Sequence, residues 1–321
     1  GGSLLTGSVV QTDHGIGMFR DLIVDRNGMD FQIRIQGQNM VPVTSDAFNV
    51  TGVLNITVQP AQGLAGRQLS AIEVTVCDAL GAIIRTENAT NVSAKIAIDG
   101  SSNTQISAGN SVSTVSGRAI FKHLTISNHG PQFQLVLFAV NMNGTVTTLP
   151  FDVQGLLVVS TEPLASGISM LPLAGESGNI TVRVTDDNGA TIGADSSTSV
   201  SVALSSPSVA AQSVLQSADG LLSKPFTSGQ VIFDLLKIDR VATGYFLNFS
   251  GALLVPAMSH AFEIRVGRTQ TLQIVLPTQR LISGSAMQPQ PIVQLLDAGL
   301  NQVTEPAASA SASVNLTMMG P

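Results

Sequence analysis

Gly117-Arg-Ala-Ile-Phe121-Lys-His-Leu124-Thr-Ile126 is the stretch that decides the fold, because the chain writes the same phrase three times. The other copies are Gly15-Ile-Gly-Met-Phe19-Arg-Asp-Leu22-Ile-Val24 and Gly229-Gln-Val-Ile-Phe233-Asp-Leu-Leu236-Lys-Ile238. Each reads Gly-x-x-x-Phe-x-x-Leu-x-[Val/Ile]. Each is followed by a turn and an aromatic-led strand, at Phe31-Gln-Ile33, Phe133-Gln-Leu135 and Tyr245-Phe-Leu247. From Phe19 to Phe121 is 102 residues and from Phe121 to Phe233 is 112, so the repeating unit is one small domain.

Two further phrases keep the same period. Val74-Thr-Val76-Cys-Asp78-Ala-Leu-Gly81 returns as Val182-Arg-Val184-Thr-Asp186-Asp-Asn-Gly189 and as Val293-Gln-Leu295-Leu-Asp297-Ala-Gly299. Phe48-Asn-Val50 returns as Phe151-Asp-Val153 and Phe262-Glu-Ile264. Apolar residues alternate with polar or small ones, and the runs end in Asp, Asn or Gly, the pattern of half-buried antiparallel strands closed by turns. No long stretch keeps a helical i, i+3, i+4, i+7 stripe. After each third phrase a short apolar strand resumes and meets a proline, at Pro60, Pro163 and Pro277. Seven or so short strands in each ~105 residues predict an all-β fold: a tandem array of immunoglobulin-like Greek-key β-sandwich domains. With no Trp and one Cys, the cysteine–tryptophan–cysteine set of antibody domains is missing, so the likeness is architectural. The expected divisions are the C-terminal part of a domain at 1–51, complete domains at 52–154 and 155–266, and the N-terminal part of a fourth at 267–321.

The junctions are short. Only Thr51 and Gly52 separate Val50 from Val53, and only Gln154 and Gly155 separate Val153 from Leu156. Flexible linkers are longer and rich in Gly, Ser or Pro, so these junctions predict stiffly joined neighbours. The chain opens at Gly1 without methionine and stops inside a repeat, so both ends read as cuts in a longer protein.

Composition narrows the function. Charged residues are 11% of the chain, against ~25% in ordinary domains. Mean hydropathy is +0.33 and the sequence pI is about 5.1. Disorder needs more charge and less apolar content, and nucleic-acid binding needs a basic stripe that a net charge of −6 does not offer. Apolar runs such as Leu135-Val-Leu-Phe-Ala-Val140 are strand-length, far short of the ~18 residues of a membrane helix. Membrane contact is expected only through parts of the protein outside this stretch. Cys77 has no intrachain partner and reads as a half-buried strand residue, because Thr185 and Leu296 hold the matching positions.

Signals for catalysis are thin. The acidic loops Asp186-Asp-Asn-Gly189 and Asp25-Arg-Asn27-Gly28 raise calcium, which takes six to eight oxygens, but an Asn-Gly pair between strands is first a hairpin turn. His14, His123, His129 and His260 share no register, and no nucleophile elbow, P-loop or dinucleotide fingerprint is present. Lys95, Lys122, Lys224 and Lys237 do not recur at one position, against a repeated lysine–asparagine cross-link. Tyr245 takes the place of Phe31 and Phe133 and reads as a core residue with a wet hydroxyl, not a sugar platform. The expectation is a non-enzyme, with no cofactor and no metal.

The strongest chemical signal is modification. Eight Asn-x-Ser/Thr sequons occur, at Asn49, Asn55, Asn88, Asn91, Asn143, Asn179, Asn248 and Asn315, among sixteen asparagines. Ser and Thr make up about a fifth of the chain, so chance would supply about three. In Leu54-Asn55-Ile56, Ile180 next to Asn179, and Leu247-Asn248-Phe249, alternation turns the apolar neighbours inward and the asparagine outward. N-linked glycans are therefore expected, and they would keep a sparsely charged surface in solution.

Taken together, the glycine–aromatic phrase and the Val-x-Val-x-Asp-x-x-Gly phrase resemble tandem immunoglobulin-like repeats of large cell-surface proteins. These include bacterial Ig-like adhesin repeats and the arrays of algal and protist surface proteins such as flagellar hair (mastigoneme) subunits. The resemblance covers nearly the whole chain and speaks to a sandwich more than to a task. It implies an extracellular, cell-surface location, the flagellar or ciliary surface included. It also implies a glycosylated structural array whose partners are sister chains or other filament proteins. The alternative is the stalk of an adhesion or receptor ectodomain.

Overall fold

The computed structural model describes residues 9–24, 26–98, 104–175, 178–207, 212–276, 283–304, 314–315, 317 and 319. Among the described residues every regular element is a strand. The chain divides into two compact units, Gly1–Leu156 with Thr185–Ala194, and Leu157–Val184 with Asp195–Pro321.

In the first unit Ile72–Cys77 lies between Val53–Val58 and Arg118–Phe121, all antiparallel. The facing sheet places Asn91–Ile98 between Ser111–Ser113 and Gly130–Ala139, and Gly130–Ala139 pairs on with Phe151–Val159. The chain crosses from one sheet to the other after Ile72–Cys77, returns at Arg118–Phe121 and crosses again to Gly130–Ala139. Arg118–Phe121 comes back beside Ile72–Cys77 and Gly130–Ala139 beside Asn91–Ile98, which is a Greek-key path. The first strand serves both sheets: after Val53–Val58 the chain passes Pro60, and Gly63–Leu64 then runs parallel to Phe151–Val159. Proline has no N–H for a ladder, so it suits the point where the strand leaves one sheet for the other.

The second unit repeats the plan. Asn179–Thr185 pairs with Gln230–Asp234; opposite, Ser199–Ser205 and Phe262–Arg265 flank Ala242–Gly251, and Ser166–Ile168 joins Phe262–Arg265 in parallel. Pro163 again precedes the switch, while Pro277 lies outside the described residues. Farther along, Thr271–Leu276 pairs with Ile292–Leu296.

Alternation fills the space between the sheets. Ile72, Val74, Val76 and Phe121 come from one side of the first sandwich, and Phe133, Leu135 and Leu137 from the other, all fully buried. In the second, Ile180, Val182 and Phe233 face Tyr245, Leu247 and Phe249. Each such side chain contributes roughly 1.5–3 kcal/mol by leaving water. Phe121 and Phe233 sit in these cores as expected, whereas Phe19 is only half-buried. Among the described residues no strand equivalent to Ile72–Cys77 stands beside Phe19.

The glycine that opens each phrase is the second residue of a two-residue hairpin. Ser116 and Gly117 have φ of 51° and 75°, Ser228 and Gly229 51° and 74°, and His14 and Gly15 49° and 81°. Two successive positive φ values give the turn whose twist matches antiparallel strands. The flanking residues exchange both backbone hydrogen bonds, at 2.8 and 3.1 Å for Val115 and Arg118. A β-carbon on Gly117 would stand 2.5 Å from the Ile84 carbonyl oxygen, so neighbouring backbone enforces glycine as well.

The aromatic-led strands begin earlier than the sequence predicts. Phe31, Phe133 and Tyr245 lie three residues into or at the end of their strands, each behind a bulge where the register shifts. The residue before each aromatic is left-handed: Asp30 at 57°, Gln132 at 54° and Gly244 at 83°. Its stranded N–H needs an acceptor. Asn49 Oδ1 accepts from Asp30 N–H at 3.1 Å, and Asp152 Oδ1 accepts from Gln132 N–H at 2.9 Å. This accounts for the polar middle residue of the Phe-x-[Val/Ile] phrase in the first two copies; in the third, the Glu263 carboxylate accepts from the Arg265 guanidinium instead. The bulge in turn sets each aromatic against the phenylalanine of the last strand, with ring centroids 6.3 Å apart for Phe31–Phe48, 6.2 Å for Phe133–Phe151 and 5.8 Å for Tyr245–Phe262.

Replacing Phe121 with Ala removes a fully buried ring and is expected to lower the unfolding free energy by roughly 3–5 kcal/mol in urea denaturation. A loss under ~1 kcal/mol would contradict its place in the core.

Candidate functional sites: sequons and recurring turns

The structure puts seven of the eight sequon asparagines on exposed positions, with Asn179 half-buried. Asn55 points outward between buried Leu54 and half-buried Ile56, and Asn248 between buried Leu247 and Phe249. The glycan would attach at Nδ2, so the state of each amide matters. Asn88 is tied at both ends: its Oδ1 accepts from Ser116 N–H at 2.8 Å and its Nδ2 donates to Thr86 O at 3.2 Å. Asn49 and Asn91 spend only Oδ1, on Asp30 N–H and on the Ser111 hydroxyl at 2.6 Å. Asn55 and Asn91 lie on the outer faces of the two opposed sheets of one sandwich, and Asn179 and Asn248 on those of the next. A division into sequon-bearing and sequon-free sheet faces does not exist in either sandwich.

The acidic loops resolve as turns. Asp78 Oδ1 accepts from Leu80 and Ala82 N–H at 2.9 Å each. Asp186 Oδ1 does the same for Asn188 and Ala190, at 2.9 and 2.8 Å, and Asp297 Oδ1 for Gly299 and Asn301, at 2.9 Å each. A carboxylate that holds two turn amides explains the recurrence of Asp with no ion involved. The Asp25 loop lies partly outside the described residues, since Asp25 itself is not among them. One alignment shifts. The left-handed residue is Gly81 in the first turn and Gly189 in the second, but Leu300, at 61°, in the third. Gly299 is glycine for a different reason, since a β-carbon there would stand 2.1 Å from the Asp239 carbonyl oxygen.

Asp297 is fully buried. Burial pushes its carboxyl up, but the N–H groups of Gly267, Asn301 and Gly299 and the Asn301 amide outweigh this and hold it below the usual carboxylate range. Its stabilising contribution is therefore present above the ordinary carboxylate pKa and is lost as pH falls through the lowered folded value.

Other singled-out residues serve packing. Cys77 is buried, beyond the half-burial expected, with Sγ 3.4 Å from Thr75 Oγ1. Tyr245 is a core residue, but its hydroxyl is engaged inside the protein, at 2.9 Å from Arg240 O and 2.7 Å from Ser213 Oγ. Burial pushes that phenol up. His14, His123 and His260 are exposed and His129 is buried. Among the described residues no group of three or more His, Cys, Asp or Glu is placed to hold a metal. Sequence reading passed over the Lys224 cluster. The ammonium is 2.6 Å from Asp219 Oδ2 and 2.8 Å from Asp234 Oδ2, and donates to Ile232 O at 3.0 Å. Burial lowers the Lys224 pKa, but the two carboxylates more than offset it and leave it raised. The bonds pin the turn at Asp219 to strand Gln230–Asp234, and no signal in the spacing of lysines could have shown this.

No family model and no curated protein matches the chain. Solved structures give faint likenesses. A β-glycosidase from Bacteroides vulgatus is 12% identical over 66% of this chain and 25% of its own, with a TM-score of 0.21. The C-terminal 282-residue fragment of intimin, solved with the intimin-binding domain of its translocated receptor, is 10% identical over 65% and 62%, at 0.31. Extracellular domains 3–5 of Drosophila OTK are 10% identical over 74% and 70%, at 0.28. The chain thus spans about a quarter of the glycosidase and under two thirds of the intimin fragment. At such scores the likenesses carry no argument about activity or partner.

In native material, mass spectrometry before and after enzymatic glycan release is expected to find Asn55, Asn179 and Asn248 modified, with Asn88 the least occupied. Three unmodified peptides at the first three positions would reject the glycan reading. A thiol reagent is expected to leave Cys77 unreacted in the folded protein and to label it fully in denaturant.

Proposed function

We propose that this chain is a non-catalytic structural repeat array of a glycosylated extracellular filament or surface coat, mastigoneme-like in kind. The observation that supports this most is how the recurring polar residues are spent. In successive repeats Asp78, Asp186 and Asp297 hold turn amides, and Asn49 and Asp152 hold bulge amides. These side chains build the repeat. The outward sequons and the low charge suit a secreted coat, because sparsely charged surfaces can be buried against one another at little desolvation cost. Sister chains or other filament proteins are then the partners, at the cell surface.

Because both sheet faces of each sandwich carry a sequon, occupancy decides which face can pack. A face whose asparagine stays bare is open to a neighbour, and one bearing a glycan is closed. The stalk of an adhesion or receptor ectodomain is the second reading: Gln154 and Gly155 lie inside the strand Phe151–Val159, and so tight a junction suits a stalk as well as a filament. Electron microscopy of native material separates the two. Chains in lateral contact, with density for glycan on the uncovered faces, are the expected result. Solitary chains ending in a distinct head would support the stalk and overturn the filament.

A further inference from the structure

Two of the Asp turns do more than close a hairpin. In the second unit, Asn301 Nδ2 lies 2.6 Å from Asp239 O and 3.0 Å from Ser169 Oγ, while its Oδ1 accepts from Val241 N–H at 3.2 Å. The same Nδ2 is 3.0 and 3.2 Å from the two oxygens of Asp297, whose Oδ2 accepts from Gly267 N–H at 2.9 Å. Ser169 Oγ also donates to Asp239 O at 2.9 Å. One amide thus stands among a carbonyl, a hydroxyl and a carboxylate, drawn from three separate segments. Gly299 lets the turn approach this closely, because a β-carbon there would also stand 2.3 Å from Ser169 Oγ.

Within the first unit the turn at Asp186 meets the matching loop. Asp187 N–H donates to Ala65 O at 2.8 Å, and the Arg67 guanidinium forks onto the Asp187 carboxylate at 3.0 and 2.8 Å. The loops correspond residue by residue. Gly66 and Met170 are both left-handed, at 75° and 61°, and their N–H groups donate to Ile126 O and Ile238 O at 2.8 and 2.9 Å. Ala65 and Ser169 precede them. The seat is one geometry read by two chemistries, an ion pair in one case and an amide in the other.

We propose that the Asp turn is a docking latch. It seats the strand pair Thr271–Leu276 and Ile292–Leu296 on the loops at Ser169 and Asp239, and Asn301 determines the fit. An apolar residue at 301 removes the acceptor of Val241 N–H and one of the donors that the Asp239 carbonyl and the buried Ser169 and Asp297 oxygens share. The Arg67–Asp187 fork could not substitute, since the loop at Ser169 offers acceptors and the turn at Asp297 brings its own carboxylate. The latch concerns the joint itself and holds whether the array is a filament or a stalk.

The test is hydrogen exchange with mass spectrometry on the whole chain, comparing wild type with Asn301→Ala and Gly299→Val. Exchange in 267–276 and 292–304 is expected to rise about tenfold or more, along with the amides of Met170 and Val241. Protection across Asn179–Thr185 and Ala242–Gly251 is expected to stay as in wild type. Unchanged exchange at 292–304 in Asn301→Ala overturns the proposal. Equal loss throughout Asn179–Thr185 overturns it too, because the residue would then support the whole unit and not a joint. If Gly299→Val fails to fold, the milder Asn301→Ala decides alone.

Discussion

Every strand in this chain must end, and each ending strands backbone amides that the sheet no longer satisfies. That constraint shapes more of the molecule than the core does. A two-sheet sandwich of short strands has many such endings, and an unpaired buried N–H costs about as much as a lost hydrogen bond. The repeats meet it with the same devices in the same places. A left-handed pair at Ser116–Gly117 or Ser228–Gly229 closes one hairpin, and a carboxylate at Asp78, Asp186 or Asp297 closes another. At the bulge, the polar residue at 49 or 152 takes the amide that the extra residue leaves over.

These devices position the core as well as terminate it. Without the bulge, the alternation of Gly130–Ala139 would run out of phase, and Phe133 would leave the space between the sheets. With it, Phe133 meets Phe151, and Tyr245 meets Phe262, at nearly the same centroid distance. The interior therefore depends on a hydrogen bond at the rim. Tyr245 carries the dependence further: its ring fills the core position while its hydroxyl holds Arg240 O, joining the strand to the loop that precedes it.

Several polar groups of this protein are spent on its own chain. Asp297 and Asn301 bind backbone and each other, Lys224 ties Asp219 to Asp234, and the Glu73 carboxylate takes the Arg118 guanidinium across Thr75. Among the described residues the surface mixes exposed apolar side chains such as Val41 and Leu80 with sequon asparagines and scattered charges such as Arg34, Arg85 and Lys122.

Much of this was legible in the order of residues. Period-2 alternation determined the strands, the triple recurrence of the glycine, aspartate and phenylalanine phrases determined the repeat, and Leu54-Asn55-Ile56 determined which way a sequon faces. These are local properties, since a side chain alternates in or out whatever lies beyond its strand. The left-handed residues at Asp30, Gln132 and Leu300 could not be read in the same way, because nothing in Gln or Leu requests a positive φ and Asp only tolerates it. Asp30 and Gln132 adopt it at bulges where partners distant in sequence, Asn49 and Asp152, take the N–H, and Leu300 adopts it in a turn where its N–H reaches Asp297 O at 3.1 Å. Gly299 shows the same limit from the other side. Its sequence neighbours suggest a turn glycine, but the carbonyl of Asp239, sixty residues earlier, decides that no side chain fits. Where the reason for a residue lies within its own strand the sequence is sufficient; where it lies across a joint, only the folded chain supplies the other half.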